Sequence, residues 1–240
     1  MSQASLTGLR IAVTGASSGI GSAIVETLLA EGAQVLGLCR RTDQVPTGAT
    51  PIACDLSQSP SIQSAFEAIE EAVGGLDVLV NNAGLAWLTR VSDGDPARIA
   101  EMWQVNVHGL TLCTQEALKR FPKTGGRIIN ISSLSGHRVP PTGGFYAPTK
   151  FAVQALTESL RSEFAQDGLP HQIATICPGF VDTPLLDGYF EGREHDLEKL
   201  RTSGAMLHPS DIAHATLSIL SAPAHVSIGD IQLRPAGQKI

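Results

Sequence analysis

Short apolar runs alternate with amphipathic stretches along most of this 240-residue chain. The apolar runs predict seven strands: Arg10–Thr14, Gln34–Cys39, Pro51–Cys54, Leu76–Asn81, Arg127–Ser132, Gln172–Cys177 and Asp230–Leu233. The amphipathic stretches predict five helices: Gly19–Glu31, Ser61–Val73, Pro96–Arg120, Phe145–Gln166 and Ser210–Ser221. Because the strands are apolar on both faces, the pattern favours one α/β domain over residues 1–240, with a parallel sheet covered by helices on both sides.

One long polar stretch, Thr183–Pro209, interrupts this alternation. It lies between the sixth predicted strand and the last predicted helix. Long connections inside a compact domain often have a functional role. We therefore expect residues 183–209 to form a lid over a substrate rather than a boundary between domains.

Composition and charge disfavour several classes of partner. The chain is 42% hydrophobic and 17% charged, which is enough apolar material for a core. A net charge of −6 without a basic block disfavours nucleic acid and anionic membrane surfaces. The sequence has no apolar run long enough to predict a spanning helix, and its first residues do not resemble a signal peptide. We expect a cytoplasmic protein.

The four cysteines predict free thiols and no metal site. Cys39, Cys54, Cys113 and Cys177 are scattered, without a Cys-x-x-Cys pair. Reduced thiols in a cytosolic protein fit this distribution better than disulfides or zinc ligands.

A glycine-rich turn joins the first strand to the first helix. The residues that we expect to bind a phosphate there are Gly15, Ser17, Ser18, Gly19, Ile20 and Gly21. Glycines allow the backbone to approach a phosphate closely, and the helix N-terminus offers free N–H groups and a positive dipole end. The lysine of an ATP-binding P-loop is missing, so a dinucleotide is favoured.

Arg40 and Arg41 follow the second strand, where dinucleotide-binding proteins specific for a free ribose carry a carboxylate. Two guanidinium groups could hold a 2′-phosphate through charge-assisted hydrogen bonds. This position favours NADP(H) over NAD(H), although two arginines in a loop could also simply be solvated.

A Tyr-x-x-x-Lys pair predicts proton transfer. Tyr146 and Lys150 share one face of a helix, and an ammonium beside a phenol favours the phenolate. Ser133 lies thirteen residues before the tyrosine. An isolated pair with this spacing is usually an exposed surface feature, so its interpretation depends on the other motifs.

Taken in order, these motifs resemble the classical short-chain dehydrogenase/reductase family, and the likeness extends from about Leu9 to Leu233. The resemblance implies a single Rossmann-type doubly wound parallel sheet with helices on both faces. It also implies Ser133, Tyr146 and Lys150 as catalytic residues, with Asn106 ordering a water beside the lysine. Pro148 departs from the family pattern but lies in the first helical turn, where proline is tolerated.

The same resemblance implies further dinucleotide contacts. Tyr146 and Lys150 would belong to the dinucleotide site, and Asp55 and Leu56 would lie at the adenine. The remaining contacts would come from Asn82, Ala83 and Gly84 after the fourth strand, and from Pro178, Gly179, Val181 and Thr183 after the sixth. From its local sequence alone, Asp55 could equally cap a turn before Ser57. Ser135–Val139 and the tail from Pro223 to Pro235 resemble an NADP-dependent subgroup that includes keto-steroid and dicarbonyl reductases and farnesol dehydrogenases.

We therefore expect an NADP(H)-dependent oxidoreductase that transfers hydride between the nicotinamide and a carbonyl, or a secondary or allylic alcohol, of a largely apolar small molecule. The candidate substrate contacts are Trp87, His137, Phe145, Leu185, Tyr189 and Phe190. A catalytically weak NADP-binding sensor or scaffold is the alternative. By resemblance, the two long helices Pro96–Arg120 and Phe145–Gln166 would form a homodimer or homotetramer interface.

Overall fold

The computed structural model describes residues 5–141 and 143–236. The strands are β1 (Arg10–Thr14), β2 (Gln34–Cys39), β3 (Thr50–Ala53), β4 (Val78–Asn81), β5 (Arg127–Ile131), β6 (Gln172–Pro178) and β7 (Asp230–Leu233). The α-helices are α1 (Gly19–Ala30), α2 (Ser59–Val73), α3 (Pro96–Trp103), α4 (Leu110–Leu118), α5 (Tyr146–Gln166), α6 (Leu185–Tyr189), α7 (Glu194–Thr202) and α8 (Pro209–Leu220). Short 3-10 helices span Thr42–Gln44 and Leu134–Gly136.

The seven strands form one sheet in the order β3-β2-β1-β4-β5-β6-β7. Every neighbouring pair is parallel. The predicted single Rossmann-type sheet is therefore confirmed. The strand order reverses between β1 and β4, and ligands of such sheets bind in the crevice beyond the carboxyl ends at this point.

Helices cover both faces of the sheet. On one face, α1 and α8 pack against each other, and their buried side chains, such as Ile24 and Ile212, join those of the strands in one apolar cluster. On the opposite face, α2 and α4 bury Phe66 and Ala117 against β1, β2 and β4. The strands are thus apolar on both faces because each face has its own core.

The predicted helix Pro96–Arg120 is one helical region of three parts. It begins after Asp95, whose Oδ1 accepts a hydrogen bond from the backbone N–H of Ala97 at 2.9 Å. It changes to a π-helix over Gln104–Gly109 and ends at Leu118. π-Helical segments are rare and frequently occur at functional sites.

The stretch Thr183–Pro209 contains two helices that the hydrophobic pattern did not predict, α6 and α7. Leu186 and Tyr189 of α6, Phe190 directly after it and Leu197 of α7 are buried and pack with Ala86 in a separate apolar cluster. Val181 and Leu207 form an isolated parallel bridge close to the two ends of this stretch. The stretch therefore packs as a folded cap on the main domain.

None of the described helices is both long and apolar enough to cross a membrane.

Candidate active site

A cavity of about 530 Å³ opens at the carboxyl edge of the sheet. The glycine-rich turn after β1 lines one end, and the segments after β4, β5 and β6 line the other. Helix α6 contributes Leu185, Leu186 and Tyr189 to the wall. The motifs that are separate in the sequence thus meet around one cavity, as the parallel sheet requires.

The glycine-rich turn is too crowded for larger residues. Gly15 and Gly19 have φ values of +68° and +54°, a conformation that L side chains rarely adopt. A Cβ on Gly21 would lie 2.2 Å from the carbonyl oxygen of Gly15. Gly21 packs inside the turn and does not line the cavity, whereas the other predicted loop residues do. Its part in binding is to let the helix and the turn approach closely.

Asn82 joins the ends of β1 and β4. Its Nδ2 donates to the carbonyl oxygen of Thr14 at 2.9 Å. The Thr14 hydroxyl oxygen in turn accepts from the backbone N–H groups of Asn82 and Ala83, at 3.0 and 3.1 Å. These bonds hold the two strand ends beside the reversal point, where Asn82, Ala83 and Gly84 line the cavity.

Arg40 and Arg41 line the same end of the cavity as the serines of the turn. The Nη2 atom of Arg41 lies 3.4 Å from Ser17 Oγ and 3.3 Å from Ser18 Oγ. Arg40 is exposed, and its charge contributes to a lowered pKa at Asp55, where the largest cause is a backbone hydrogen bond from Ser57. Both guanidinium groups are therefore available to an anion in this end of the cavity.

Asp55 caps the turn before Ser57, as one of its two sequence-based interpretations expects. Its Oδ1 accepts from the backbone N–H of Ser57 at 2.9 Å and from the Ser57 hydroxyl at 2.8 Å, which is a turn-capping arrangement. Asp55 and the buried Leu56 also line the cavity. The turn fixes the carboxylate where it could meet a base.

Ser133, Tyr146 and Lys150 meet at the other end of the cavity. Lys150 is 5% exposed, and its Nζ donates to the carbonyl oxygen of Ile131 at 2.9 Å. The same atom lies 5.7 Å from the centroid of the Tyr146 ring. Ser133 caps the 3-10 turn after β5, where its Oγ accepts from the Ser135 N–H at 3.1 Å. The end of β5 thus positions both the serine and the lysine.

Burial shifts both titratable groups toward their neutral forms. It raises the pKa of Tyr146 above its usual value, while a hydrogen-bond interaction with Ser133 acts in the opposite direction. Burial also lowers the pKa of Lys150 from 10.5 to about 8. In the protein alone, the phenol therefore stays protonated at neutral pH while the lysine is mainly charged.

Asn106 lies in the π-helical segment and is 1% exposed. Its Oδ1 accepts from the Leu85 N–H at 2.7 Å, and its Nδ2 donates to the Leu85 carbonyl at 2.8 Å and to Thr149 Oγ1 at 3.1 Å. A Cβ on Gly84 would lie 3.3 Å from Asn106 Oδ1 and 3.8 Å from Lys150 Nζ. Asn106 therefore borders the space beside the lysine and anchors the segment after β4.

The segment after β6 lines the cavity and also lies against the glycine-rich turn. The predicted residues Pro178, Gly179, Val181 and Thr183 all line the cavity. The Gly179 N–H donates to the carbonyl oxygen of Leu233 at 2.7 Å, which fixes the start of the segment on β7. A Cβ on Gly19 would meet the Thr183 side chain at 3.0 Å, so this segment lies directly over the glycine-rich turn.

Three of the six candidate substrate contacts line the cavity: Trp87, Leu185 and Tyr189. The other three do not. Phe145 packs against Trp103 with ring centroids 6.3 Å apart, and Phe190 packs between Phe180 and Tyr189. His137 turns away toward Cys177 and Asp230.

Several lining residues were not anticipated from the sequence. They include Leu85, Ala86, Glu101, Val105, Leu134, Arg138, Pro140, Leu186 and Gly188. Arg138 illustrates the difficulty, because it is the immediate neighbour of His137. After the 3-10 turn Leu134–Gly136, the His137 side chain lies against β6 and the Arg138 side chain lines the cavity. No periodic pattern in the sequence marks that turn. Position after a strand end was the signal available for Leu85, Ala86 and Leu134, whereas Glu101 and Val105 lie on the helical region after β4 and had no such signal.

Comparison with known proteins agrees with this geometry. The family model described as short chain dehydrogenase matches residues 10–194. The chain belongs to this family. It is therefore an oxidoreductase that acts on alcohol or carbonyl groups and uses a nicotinamide dinucleotide.

Individual relatives of this short-chain dehydrogenase span nearly its whole length. The human protein named dehydrogenase/reductase SDR family member 11 is 39% identical over 94% of each chain. A farnesol dehydrogenase from Aedes aegypti is 36% identical, over 95% of this chain and 96% of the relative. Among solved structures, the closed form of a serine dehydrogenase complexed with NADP+ superposes with a TM-score of 0.88 at 26% identity, over 97% of both chains.

The cavity of this short-chain dehydrogenase fits a dinucleotide. A Cβ on Gly15 would lie 2.9 Å from Ala83 Cα, and one on Gly19 would meet the Thr183 side chain at 3.0 Å, so the turn excludes larger residues and a phosphate there would meet the loop backbone. Arg40, Arg41, Tyr146 and Lys150 all line this same cavity.

Proposed function

We propose that this protein is an NADP(H)-dependent reductase of a largely apolar carbonyl compound, which also oxidises the corresponding secondary or allylic alcohol. One observation carries the proposal. A single cavity has two guanidinium groups at the dinucleotide end and the Ser133, Tyr146 and Lys150 side chains at the other.

The choice of NADP(H) depends on Arg40 and Arg41. No carboxylate occupies the end of β2, where Asp or Glu would bind a free 2′-hydroxyl. Arg41 approaches both serine hydroxyls of the turn, so a phosphate at this point would meet two guanidinium groups and two hydroxyls. The NADP+ complex of the similar serine dehydrogenase is consistent with this preference.

When bound, the reduced nicotinamide supplies a hydride to the carbonyl carbon. Ser133 would donate a hydrogen bond to the carbonyl oxygen and stabilise its developing negative charge. Tyr146 would donate its phenolic proton to that oxygen as the alcohol forms. Because burial raises the pKa of Tyr146, the phenol is in the protonated form that reduction needs.

Lys150 has two roles in this scheme. Its ammonium stabilises the phenolate that remains after proton donation, and it binds the nicotinamide ribose. Asn106 borders the space beside the ammonium, where a water could return the proton from solvent. A charged lysine is required, and burial lowers its pKa to about 8, so reduction should weaken as the pH rises above this value.

The substrate end of the cavity suggests an apolar molecule with a polar feature. Leu85, Ala86, Trp87 and Leu186 supply apolar surface there. Arg138 is half-buried, also lines this region and adds a positive charge to the otherwise apolar surface. Of the similar proteins, the farnesol dehydrogenase is named for an apolar alcohol and the serine dehydrogenase for a polar one. We therefore test substrates of both kinds.

A substrate panel tests the proposal. Ketones, diketones, keto-steroids, allylic alcohols and, as the polar comparison, serine are incubated with NADPH or NADP+, and separately with NADH or NAD+, while nicotinamide absorbance is recorded. We expect turnover of apolar carbonyl compounds with a lower KM for NADPH than for NADH. Equal or lower KM values for NADH would contradict the cofactor assignment, and no turnover of any member would contradict the substrate class.

A further inference from the structure

A compact cluster of His137, Cys177 and Asp230 lies between the 3-10 turn after β5 and the strands β6 and β7. Their potential ligand atoms all lie within 4.8 Å of one another. Neither these residues nor the adjacent Gln154 line the catalytic cavity. The proposed oxidoreductase function leaves the cluster without a role.

The distances in the cluster match the edges of a metal coordination polyhedron. Cys177 Sγ lies 3.3 Å from His137 Nε2 and 3.2 Å from Asp230 Oδ1. His137 Nε2 lies 3.2 Å from Asp230 Oδ2. Tetrahedral zinc with bonds of about 2.0–2.3 Å separates neighbouring ligand atoms by about 3.3–3.6 Å. A cation would need only small side-chain movements to bind all three.

Hydrogen bonds alone do not account for this convergence. Three polar groups approach the single atom His137 Nε2: Gln154 Nε2 at 2.7 Å, Asp230 Oδ2 at 3.2 Å and Cys177 Sγ at 3.3 Å. One ring nitrogen carries either one proton or one lone pair. It can therefore satisfy one of these neighbours, whereas a cation at the centre would satisfy several at once.

The surrounding backbone holds the three groups in place. Parallel pairing of β6 and β7 sets Thr175 opposite Asp230, and the Thr175 hydroxyl donates to Asp230 Oδ1 at 2.6 Å. An outer hydrogen bond of this kind orients a carboxylate for a metal. The Gln154 amide also lies 3.0 Å from Cys177 Sγ, and a half-turn of the amide would present its oxygen to the same point.

We propose that His137, Cys177 and Asp230 form a site for zinc or a similar divalent cation, with the Gln154 amide oxygen or a water as the fourth ligand. Thiolate and imidazole favour zinc-like ions, whereas calcium and magnesium prefer oxygen ligands throughout. On binding, the Cys177 thiol releases its proton to solvent as the sulfur–metal bond forms, and the metal keeps its oxidation state.

The site has a structural consequence for the neighbouring active site. Cys177 directly precedes Pro178 of the cavity wall, and Gln154 lies one helical turn after Lys150. His137 ends the turn that Ser133 begins. A bound cation would tie the Ser133 turn to β6 and β7, so we expect it to stabilise the fold rather than to take part in hydride transfer.

Cobalt titration tests the proposal directly. The full-length protein is treated with a chelator, titrated with Co²⁺ and followed by absorbance, and Zn²⁺ is then added. We expect one equivalent of Co²⁺ to produce a thiolate-to-cobalt charge-transfer band with the visible bands of tetrahedral cobalt, and Zn²⁺ to abolish both. The absence of a saturable charge-transfer band in the wild-type protein would overturn the proposal.

Matched variants identify the ligands. Cys177→Ser should lose the charge-transfer band, and His137→Asn and Asp230→Asn should each weaken Co²⁺ binding by at least about tenfold. Cys113→Ala and His214→Asn remove a thiol and an imidazole elsewhere and should bind Co²⁺ as the wild type does. If Cys177→Ser does not fold, the other two ligand variants decide. Wild-type binding by both of them, or an unchanged band in a folded Cys177→Ser, would contradict the proposal.

A thermal readout separates this site from the dinucleotide site. Zn²⁺ should raise the Tm of the wild type but not of His137→Asn or Asp230→Asn, whereas NADPH should raise the Tm of all three. An equal Zn²⁺ effect on all three proteins would exclude the site. Failure of the metal proposal would leave the oxidoreductase function unaffected.

Discussion

At Lys150, the charge that the proposed reaction needs lowers the stability of the folded protein. The proposed reaction needs its ammonium, yet the side chain is 5% exposed, and burial lowers its pKa to about 8. Its ammonium has one protein hydrogen bond, to the carbonyl oxygen of Ile131, among the side-chain bonds of the described residues. Below pH 8 the folded protein therefore holds a charged group that would be better solvated in the unfolded chain.

Replacing this lysine should stabilise the protein near neutral pH. A pKa lowered from 10.5 to about 8 corresponds to about 3 kcal/mol, and loss of the Ile131 hydrogen bond offsets about 1 kcal/mol. Lys150→Met should thus raise the free energy of unfolding by roughly 1–3 kcal/mol at pH 7 while abolishing turnover. Urea denaturation at several pH values measures the effect.

The pH dependence of that gain has a definite sign. Between pH 8 and 10.5 the unfolded chain binds the lysine proton and the folded protein does not, so wild-type stability rises relative to the variant. The advantage of Lys150→Met should therefore shrink across this window. A difference that stays constant from pH 7 to 10 would show that burial of charge is not its origin.

Arg40 and Arg41 should control the choice between the two dinucleotides. Replacing either arginine with alanine removes a guanidinium from the proposed 2′-phosphate site. We expect the KM for NADPH to rise by about tenfold or more, because a charge-assisted hydrogen bond contributes about 1.5–3 kcal/mol, and the KM for NADH to change little.

Lys123→Ala is the matched control for these variants. It removes a positive charge from an exposed position that does not line the cavity. It should leave both KM values unchanged. Parallel increases for NADPH and NADH in the arginine variants would indicate general damage to the site instead of recognition of a phosphate.

At the residue scale, spacing predicted that Ser133, Tyr146 and Lys150 come together, but only three of the six candidate substrate contacts line the cavity. Ser133, Tyr146 and Lys150 meet because one follows β5 and the other two share a turn of α5. The 3-10 turn after β5 decides that Arg138 faces the cavity and His137 does not. Such a turn has no hydrophobic period, so the direction of the side chains that follow it could not be read from the sequence.

At the scale of elements, the cap formed by α6 and α7 is the part that the sequence described least well. Helix α6 has five residues, and α7 exposes most of its surface, so neither produces a strong helical period. Arg201 of α7 bridges Asp182 and Asp187 at 3.0 and 3.1 Å, but exposed ion pairs of this type add little stability. The cap is therefore held mainly by its apolar cluster, and ligand contacts with α6 would add to that packing upon binding.

Hydrogen exchange tests whether the cap closes. With NADPH and a carbonyl substrate or inhibitor bound, amide exchange should slow across α6, because Leu185, Leu186 and Tyr189 line the cavity, and across α7, because its Leu197 packs in the same apolar cluster as α6. Helix α8 packs against α1 and does not belong to the cap. It serves as the internal reference, and its exchange should change little. Equal protection of α8 and of the cap would indicate global stabilisation without local closure.

At the scale of the whole molecule, the alternation of strands and helices was sufficient to predict the parallel sheet and the edge at which its motifs converge. It could not reveal the π-helical segment inside the predicted helix Pro96–Arg120, or which surfaces contact another subunit. Two large apolar side chains, Trp103 on α3 and Phe151 on α5, are 44% and 41% exposed. They lie on the two helices that the family resemblance implies as a subunit interface.

Both side chains should therefore be buried between subunits. Phe151→Arg, or Trp103→Glu, would place a charge in an apolar interface and should reduce the oligomer to smaller species, as measured by sedimentation velocity. Val139→Arg changes another exposed apolar residue, outside these helices, and should leave the mass unchanged. A monomeric wild-type protein at the same concentration would refute this prediction.

The central claim is that Tyr146 transfers the proton during hydride transfer at this site, and Tyr146→Phe tests it most directly. The change keeps the ring that packs against Tyr189 with centroids 5.9 Å apart, and removes only the hydroxyl. We predict that turnover of a carbonyl substrate falls by about 10²–10⁴-fold, while the dissociation constant for NADPH, measured by nicotinamide fluorescence, stays close to the wild-type value. Near-normal turnover with intact NADPH binding would contradict the mechanism.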